Sequence, residues 1–236
     1  MPGYPLGQYT DDTLLTLATI RAICRTRSVD GAEMAREFVR LWETREIVGA
    51  GSSTTEAVYN MMHRGMRWDK AGTPEGRAGN GTAMRASPIG LWDHAHPEDI
   101  ERDARTASVI THKDSRSIAG AITVATAVRM CLNSSEFSPG EFLEDIAKTV
   151  RETSGLFAEA IEDLIGWIPL DPAEALPLIY ASGEPEMGPA RPGWVTPYVI
   201  PTVLCAFYFF LRNRRNYTDA VVGAINAGGD TDTVAA

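Results

Sequence analysis

Disulfide chemistry is the first thing this sequence does without. Its 236 residues include three cysteines, Cys24, Cys131 and Cys205, odd in number, far apart and with no CxxC pair. No disulfide framework or zinc-ligand spacing can be built from them, so they read as reduced, mostly buried thiols of a cytoplasmic protein. Long hydrophobic runs are missing too. The longest, Tyr198–Leu211, contains Pro201 and is short for a bilayer, which makes it a buried core helix. No basic start followed by an apolar stretch marks the N-terminus as a secretory signal. Basic residues are in deficit, 22 against 31 acids, for a formal net charge of -9. That balance excludes a broad nucleic-acid face and leaves room for a small anion at a helix N-terminus or beside a bound cation. No run alternates apolar and polar residues over strand length. There is no internal repeat and no low-complexity tract. No G-x-S-x-G elbow occurs, and Cys131 and Cys205 fall in apolar helical stretches, so no nucleophile stands out and activated water is the better attacking group.

What remains is a dense set of helix signals. LLTLATIRAIC repeats apolar residues at three- and four-residue spacing behind the polar start TDDT. Asp30 with Glu33, Ser53 with Glu56, Ser138 with Glu141 and Asp171 with Glu174 have the spacing of capping boxes. Pro139 and Pro172 stand at first helical positions, and Thr196–Pro197 introduces the aromatic-rich helix. The expected fold is all-α, one compact domain over residues 1–236. Gly65–Gly79 and Ser182–Gly193 read as surface loops within it. The sequence opens nine residues before TDDT and stops at VAA in the first turn of a helix, so one or both ends read as cut.

Two clusters carry hard oxygen donors. The first is Thr10, Asp11, Asp12 and Thr13; the last is Asp230, Thr231, Asp232 and Thr233, preceded by Gly228 and Gly229. Adjacent acids at a helix start point about 100° apart around the axis. They can therefore address two ions, or an ion and a water. Such donors suit magnesium or manganese. Four carboxylates packed together repel unless cations neutralise them. Each cluster alone can equally be a helix cap, since Asp and Thr are favoured there. A third segment, RAGNGTAMRASPIG (Arg77–Gly90), places small residues where backbone N–H groups can meet a phosphate, with Arg85 available for a charge-assisted contact. A close helix–helix contact would demand the same small residues. In THKDSR, His112 precedes a helix capped by Asp114 and can stack on a base or bond a ribose, or be a plain helix-start histidine. His94 and His96 fit a loop-to-helix cap better than a metal site. Gly49–Thr55 reads as a helix-start loop, with ligand contact the lesser option.

Taken in order, GQYTDDTLL, GAGSSTTEAV, AGNGTAMRASPIGLW, THKDSR and INAGGDTDTVAA resemble the ADP-ribosylglycohydrolase family, which includes the dinitrogenase-reductase-activating glycohydrolases, over Gly7 to Ala236. The resemblance implies a compact orthogonal multi-helix domain with two divalent metal ions, Mg²⁺ or Mn²⁺. It implies hydrolysis of the glycosidic bond between ADP-ribose and an acceptor, most often a protein side chain, with arginine favoured. By matching motifs it implies Thr10, Asp11, Asp12, Asp230, Asp232 and Thr233 as metal ligands, with Asp11 or Asp12 as the catalytic proton acceptor. Gly79, Asn80, Gly81, Thr82, Ala83, Met84, Arg85 and His112 are implied as ADP-ribose contacts. The family usually carries a G-D-x-x-G helix with an acid ahead of the first cluster, and no residue here matches it, which leaves the general acid open. Competing readings are a non-enzymatic ADP-ribose-binding domain and a metal-dependent phosphohydrolase acting on a similar substrate. The expected partner is an ADP-ribosylated protein or other conjugate, with neither nucleic acid nor membrane as a broad surface.

Overall fold

The computed structural model describes residues 5–134, 136–183 and 191–236. Among them the chain is helical, with no β-sheet and three isolated bridges, Thr73 with His112, Gly79 with Tyr198, and Val195 with Gly229. In chain order the helices are α1 (Asp11–Thr26), α2 (Gly31–Glu43), α3 (Ser52–Arg64), α4 (Trp68–Ala71), α5 (Ser87–Trp92), α6 (Ile100–Val109), α7 (Ser115–Asn133), α8 (Pro139–Val150), α9 (Gly155–Trp167), α10 (Pro172–Ala181), α11 (Val199–Arg212), α12 (Tyr217–Asn226) and α13 (Thr231–Ala235). A 3₁₀ turn, Asn80–Arg85, leads into α5. The all-α expectation holds.

Helix α7 is the hub. Its middle is small and apolar, with Ile118, Ala119, Gly120, Ala121, Ile122 and Ala125 buried, so α5, α6, α8 and α11 can all approach it. Gly90 shows how close that approach is, because a Cβ there would stand 2.2 Å from the Ala125 carbonyl oxygen. The small-residue demand expected of a helix contact is therefore met at Gly90. Helix α11, the aromatic run, is buried along most of its length, as its apolar sequence requires. It starts at Val199, two residues after Pro197, whose carbonyl accepts the Asn80 N–H at 3.0 Å.

The helix starts bear out some of the capping pattern. Asp30 accepts from the N–H groups of Ala32 and Glu33 at 2.8 and 2.9 Å, although Glu33 pairs with Arg25 and Arg36 instead of returning to the cap. Glu174 accepts the Asp171 N–H at 3.3 Å. Ser138 caps α8 by position, with no side-chain bond. Ser53 is not a cap. Gly51 is, and Glu56 pairs with Arg77. Asp114 caps α7 by accepting the Arg116 N–H at 3.0 Å. The cysteine reading needs correction: all three thiols are free, but only Cys205 is buried. Cys24 and Cys131 are exposed, Cys131 at the edge of an apolar groove. Gly65–Gly79 contains the short helix α4, and residues 184–190 of the second expected loop lie outside the described residues. No helix among the described residues is long and apolar enough to cross a membrane.

Candidate active site

The N-terminus of α1 and the N-terminus of α13 meet. Thr10 and Asp230 occupy the N-cap positions of these helices, yet neither side chain caps. The Thr10 hydroxyl instead lies 3.0 Å from Asp12 Oδ2 and 3.1 Å from Asp232 Oδ2, joining the two ends of the chain. Asp230 Oδ2 accepts from Asn80 Nδ2 at 2.7 Å, and the same Asn80 amide donates to Thr202 Oγ1 at 3.0 Å. At the two N-cap positions, then, neither side chain caps, although Asp11 and Asp12 each accept a backbone hydrogen bond in the first turn of α1.

The turn before α13 is set by Gly229. Its φ is +84°, and a Cβ there would stand 2.1 Å from the Val195 carbonyl oxygen. That carbonyl accepts the Asp230 N–H at 2.9 Å, so the glycine lets segment 193–195 clamp the acidic end of the chain in place. On the opposite wall Gly49, at φ +84°, would carry a Cβ 3.2 Å from Asp11 Oδ1.

These parts enclose a pocket of about 210 Å³ lined by Asp11, Asp12, Asp230, Asp232, Thr233, the Gly79–Gly81 backbone, Met84, His112, Pro197 and the start of α3 from Gly51 to Thr54. Asp11 is buried, and its carboxyl is pushed up to about 7, first by desolvation and then by the charge of Asp12, with smaller contributions from Asp232 and Asp230. Asp12 is raised by burial and by Asp232, partly offset by the hydroxyls of Thr10 and Thr233. Burial also raises Asp230, opposed by Asn80. Like charges held out of water in this way call for a counter-charge. Asp12 Oδ1 is buried with no hydrogen-bond partner. Among the described residues, no three Asp, Glu, His or Cys side chains converge into a ready-made coordination cage. The donor chemistry nonetheless fits a hard cation: carboxylates and hydroxyls together, one oxygen unpartnered, and negative charge in excess.

The glycine segment divides. Gly79, Asn80, Gly81 and Met84 line the pocket. Thr82, Ala83 and Arg85 do not. Thr82 Oγ1 donates to the Ser117 carbonyl at 2.5 Å and Ala83 is packed in the core. Arg85, only 1 % exposed, is buried behind the pocket wall, with its charge still felt by Asp11. It donates to the Gly81 carbonyl and to Thr111 Oγ1, and its guanidinium lies 5.0 Å from the Phe38 ring centroid. Desolvation lowers its pKa to about 9. His94 and His96 lie apart from the acids, His94 Nδ1 standing 3.0 Å from the Leu91 carbonyl and His96 beside Glu98. The start of α3 is the part given least weight in the sequence. Gly51, Ser52, Ser53 and Thr54 form pocket wall, and the signal was the pair of glycines ahead of a helix start. Two larger cavities, of about 530 Å³ beside Arg27 and Asp93 and about 490 Å³ in an apolar groove along α11 and α12, contain none of the clustered acids.

The all-helical fold has relatives among solved structures and known sequences. The sequence profile of ADP-ribosylglycohydrolase matches residues 1–236, and the chain belongs to the ADP-ribosylglycohydrolase family. It is 30 % identical over 230 residues to an uncharacterized protein of Archaeoglobus fulgidus, covering 98 % of this chain and 69 % of that one. To the ADP-ribosyl-[dinitrogen reductase] glycohydrolase of Rhodospirillum rubrum it is 27 % identical over 98 % of this chain and 66 % of the relative. The ADP-ribosylarginine hydrolase Tri1 of Pseudomonas putida is 24 % identical, with 98 % of this chain and 56 % of the relative covered. A solved structure described as an ADP-ribosylglycohydrolase-related protein complex superposes with a TM-score of 0.69 at 25 % identity, covering 98 % of this chain and 69 % of that chain. This chain thus spans roughly two thirds of the length of these relatives, and less of Tri1.

Proposed function

We propose that residues 1–236 act as one domain that hydrolyses the glycosidic bond between ADP-ribose and an acceptor, with Mg²⁺ or Mn²⁺ bound. The observation that carries this reading is the meeting of both acidic helix starts with the glycine turn and His112 in one pocket. Thr10, Asp11, Asp12, Asp230, Asp232 and Thr233 are the residues that would hold two divalent ions. When bound, the ions supply Lewis acidity and activate water without a protein nucleophile.

The chain's own residues do the rest. Asp11 or Asp12 is the carboxylate we assign as proton acceptor, the two lying side by side at the start of α1. Asn80 fixes the direction of Asp230 through its amide. Thr10 ties Asp12 to Asp232, so the two ends of the site move together. The remaining carboxylate charge stabilises an electron-poor ribosyl centre. The Gly79–Gly81 backbone lets a diphosphate approach closely, opposite the N-terminus of α3, where free N–H groups and the helix dipole favour anions. His112 serves the ribose side.

Arginine is the acceptor we favour, and the relative named for ADP-ribosylarginine supports it. The test is incubation with Mg²⁺ or Mn²⁺ and separate panels of arginine-, serine- and nucleic-acid-linked ADP-ribose, read by mass spectrometry. Free intact ADP-ribose and an unmodified acceptor are expected, first in the arginine panel. AMP with ribose phosphate would instead identify a phosphohydrolase. No release from any panel, with metal and ADP-ribose bound, would leave a binding domain.

A further inference from the structure

The neutral imidazole of His112 has two possible tautomers, and only one offers the pocket a donor. His112 is 3 % exposed, and Thr111 is fully buried beside it. Thr111 Oγ1 lies 2.9 Å from His112 Nδ1 and accepts from Arg85 Nη2 at 2.6 Å. A guanidinium has no lone pair to offer, so it can only donate. The Thr111 hydroxyl proton must therefore go elsewhere. Among the contacts of the described residues the one acceptor beside that hydroxyl is His112 Nδ1. With Nδ1 accepting, the ring proton sits on Nε2.

The glycine turn keeps that proton accessible. A Cβ on Gly79 would stand 2.9 Å from His112 Nε2, and one on Gly81 would stand 3.0 Å from Cε1. Two side-chain-free positions thus border the imidazole edge that faces the pocket. The same guanidinium that binds Thr111 also donates to the Gly81 carbonyl and stacks on Phe38. One buried cation therefore fixes both the turn and the ring opposite it. Burial, with Arg85 and Arg77 nearby, holds the imidazole pKa down at about 3, so the ring stays neutral over the working range.

We propose that Thr111, held by Arg85, locks His112 as the Nε2–H tautomer, which donates a hydrogen bond to an acceptor oxygen of the ligand over the Gly79–Gly81 turn. Thr111 and Arg85 are positioning residues, and this inference rests on the ADP-ribose reading of the pocket only for the identity of that ligand.

Because Arg85 sits in the core, Thr111 carries the test. In ¹⁵N-histidine-labelled protein at neutral pH, the His112 Nδ1 resonance is expected in the unprotonated, pyridine-like range and Nε2 in the protonated, pyrrole-like range. His112→Gln provides the assignment. Thr111→Val should move both resonances toward the other tautomer, and Thr111→Ser should restore them. ADP-ribose binding by calorimetry should weaken by roughly three- to tenfold in Thr111→Val, the worth of about one neutral hydrogen bond, and recover in Thr111→Ser. A pyrrole-like Nδ1 in the unaltered protein, or a Thr111→Val spectrum unchanged from it, would overturn the lock. An intact lock in a protein that does not bind ADP-ribose would refute the ligand reading and leave the lock standing.

Discussion

At the scale of single residues, Asp11 sets the balance between stability and function. Its folded pKa of about 7 lies above the ordinary 3.8 of an unfolded chain. The folded state therefore binds the extra proton between those values, and the stability contributed by Asp11 falls as pH rises from about 4 through 7. Above that range a cation is the natural substitute for the proton. Asp11→Asn should stabilise the chelator-treated protein at pH 8, by on the order of 1 kcal/mol, since a buried unpaired charge is removed. With Mg²⁺ the order should reverse, the unaltered protein gaining stability by ligand linkage and the variant gaining little. Thermal melts with chelator and with Mg²⁺ measure both. Equal Mg²⁺ stabilisation in the two proteins would remove Asp11 from the set of ligands. Residue-scale reading also had limits in the sequence. Arg85 looks like an anion contact beside a glycine turn, and only its burial against Phe38 shows that it serves the turn from behind.

Among the elements, the helix starts divide into those that serve folding and those that serve the site. Asp30 belongs to the first kind, with two backbone N–H groups on one carboxylate oxygen. Asp30→Ala should cost about 1 kcal/mol in urea unfolding and leave metal affinity unchanged. Thr10 and Asp230 belong to the second kind, at N-cap positions with their side chains bonded to other site residues, Thr10 beside Asp12 and Asp232 and Asp230 to Asn80. Sequence spacing could not separate the two kinds, because Asp and Thr satisfy both roles. Ser53 shows the same ambiguity. Its spacing from Glu56 mimics a capping box, but the helix begins at Ser52 and Ser53 becomes pocket wall. Propensity locates a helix start to within a residue or two, and the residue that caps it is settled by what lies opposite.

In the whole molecule, the site exists because residues 10–12 and 230–233 are brought together by the core between them. Gly229→Ala tests that dependence. The left-handed backbone and the Val195 carbonyl 2.1 Å from the new Cβ leave no room, so the turn must shift. The expected cost is about 1–3 kcal/mol in urea unfolding, together with a weakened Mg²⁺ response, because Asp230 moves with the turn. Retention of the full Mg²⁺ effect alongside that loss of stability would show that the last acidic cluster is dispensable for binding.

By itself the sequence determined the helical class, the apolar character of α11, the cap of α7 at Asp114 and the residue types able to hold a hard cation. Each of these depends on neighbours a few positions apart, where periodicity and capping rules operate. Its motif order also carried the family. The tertiary structure decided which glycines face ligand space, that Arg85 lies under the turn, that the start of α3 joins the pocket, and that Cys24 and Cys131 are exposed. Those depend on which surfaces of separate helices meet. A side chain's local spacing fixes the face of the helix it occupies, but only the packing of α1, α3, α13 and the Asn80–Arg85 turn around one pocket determines what that face looks upon.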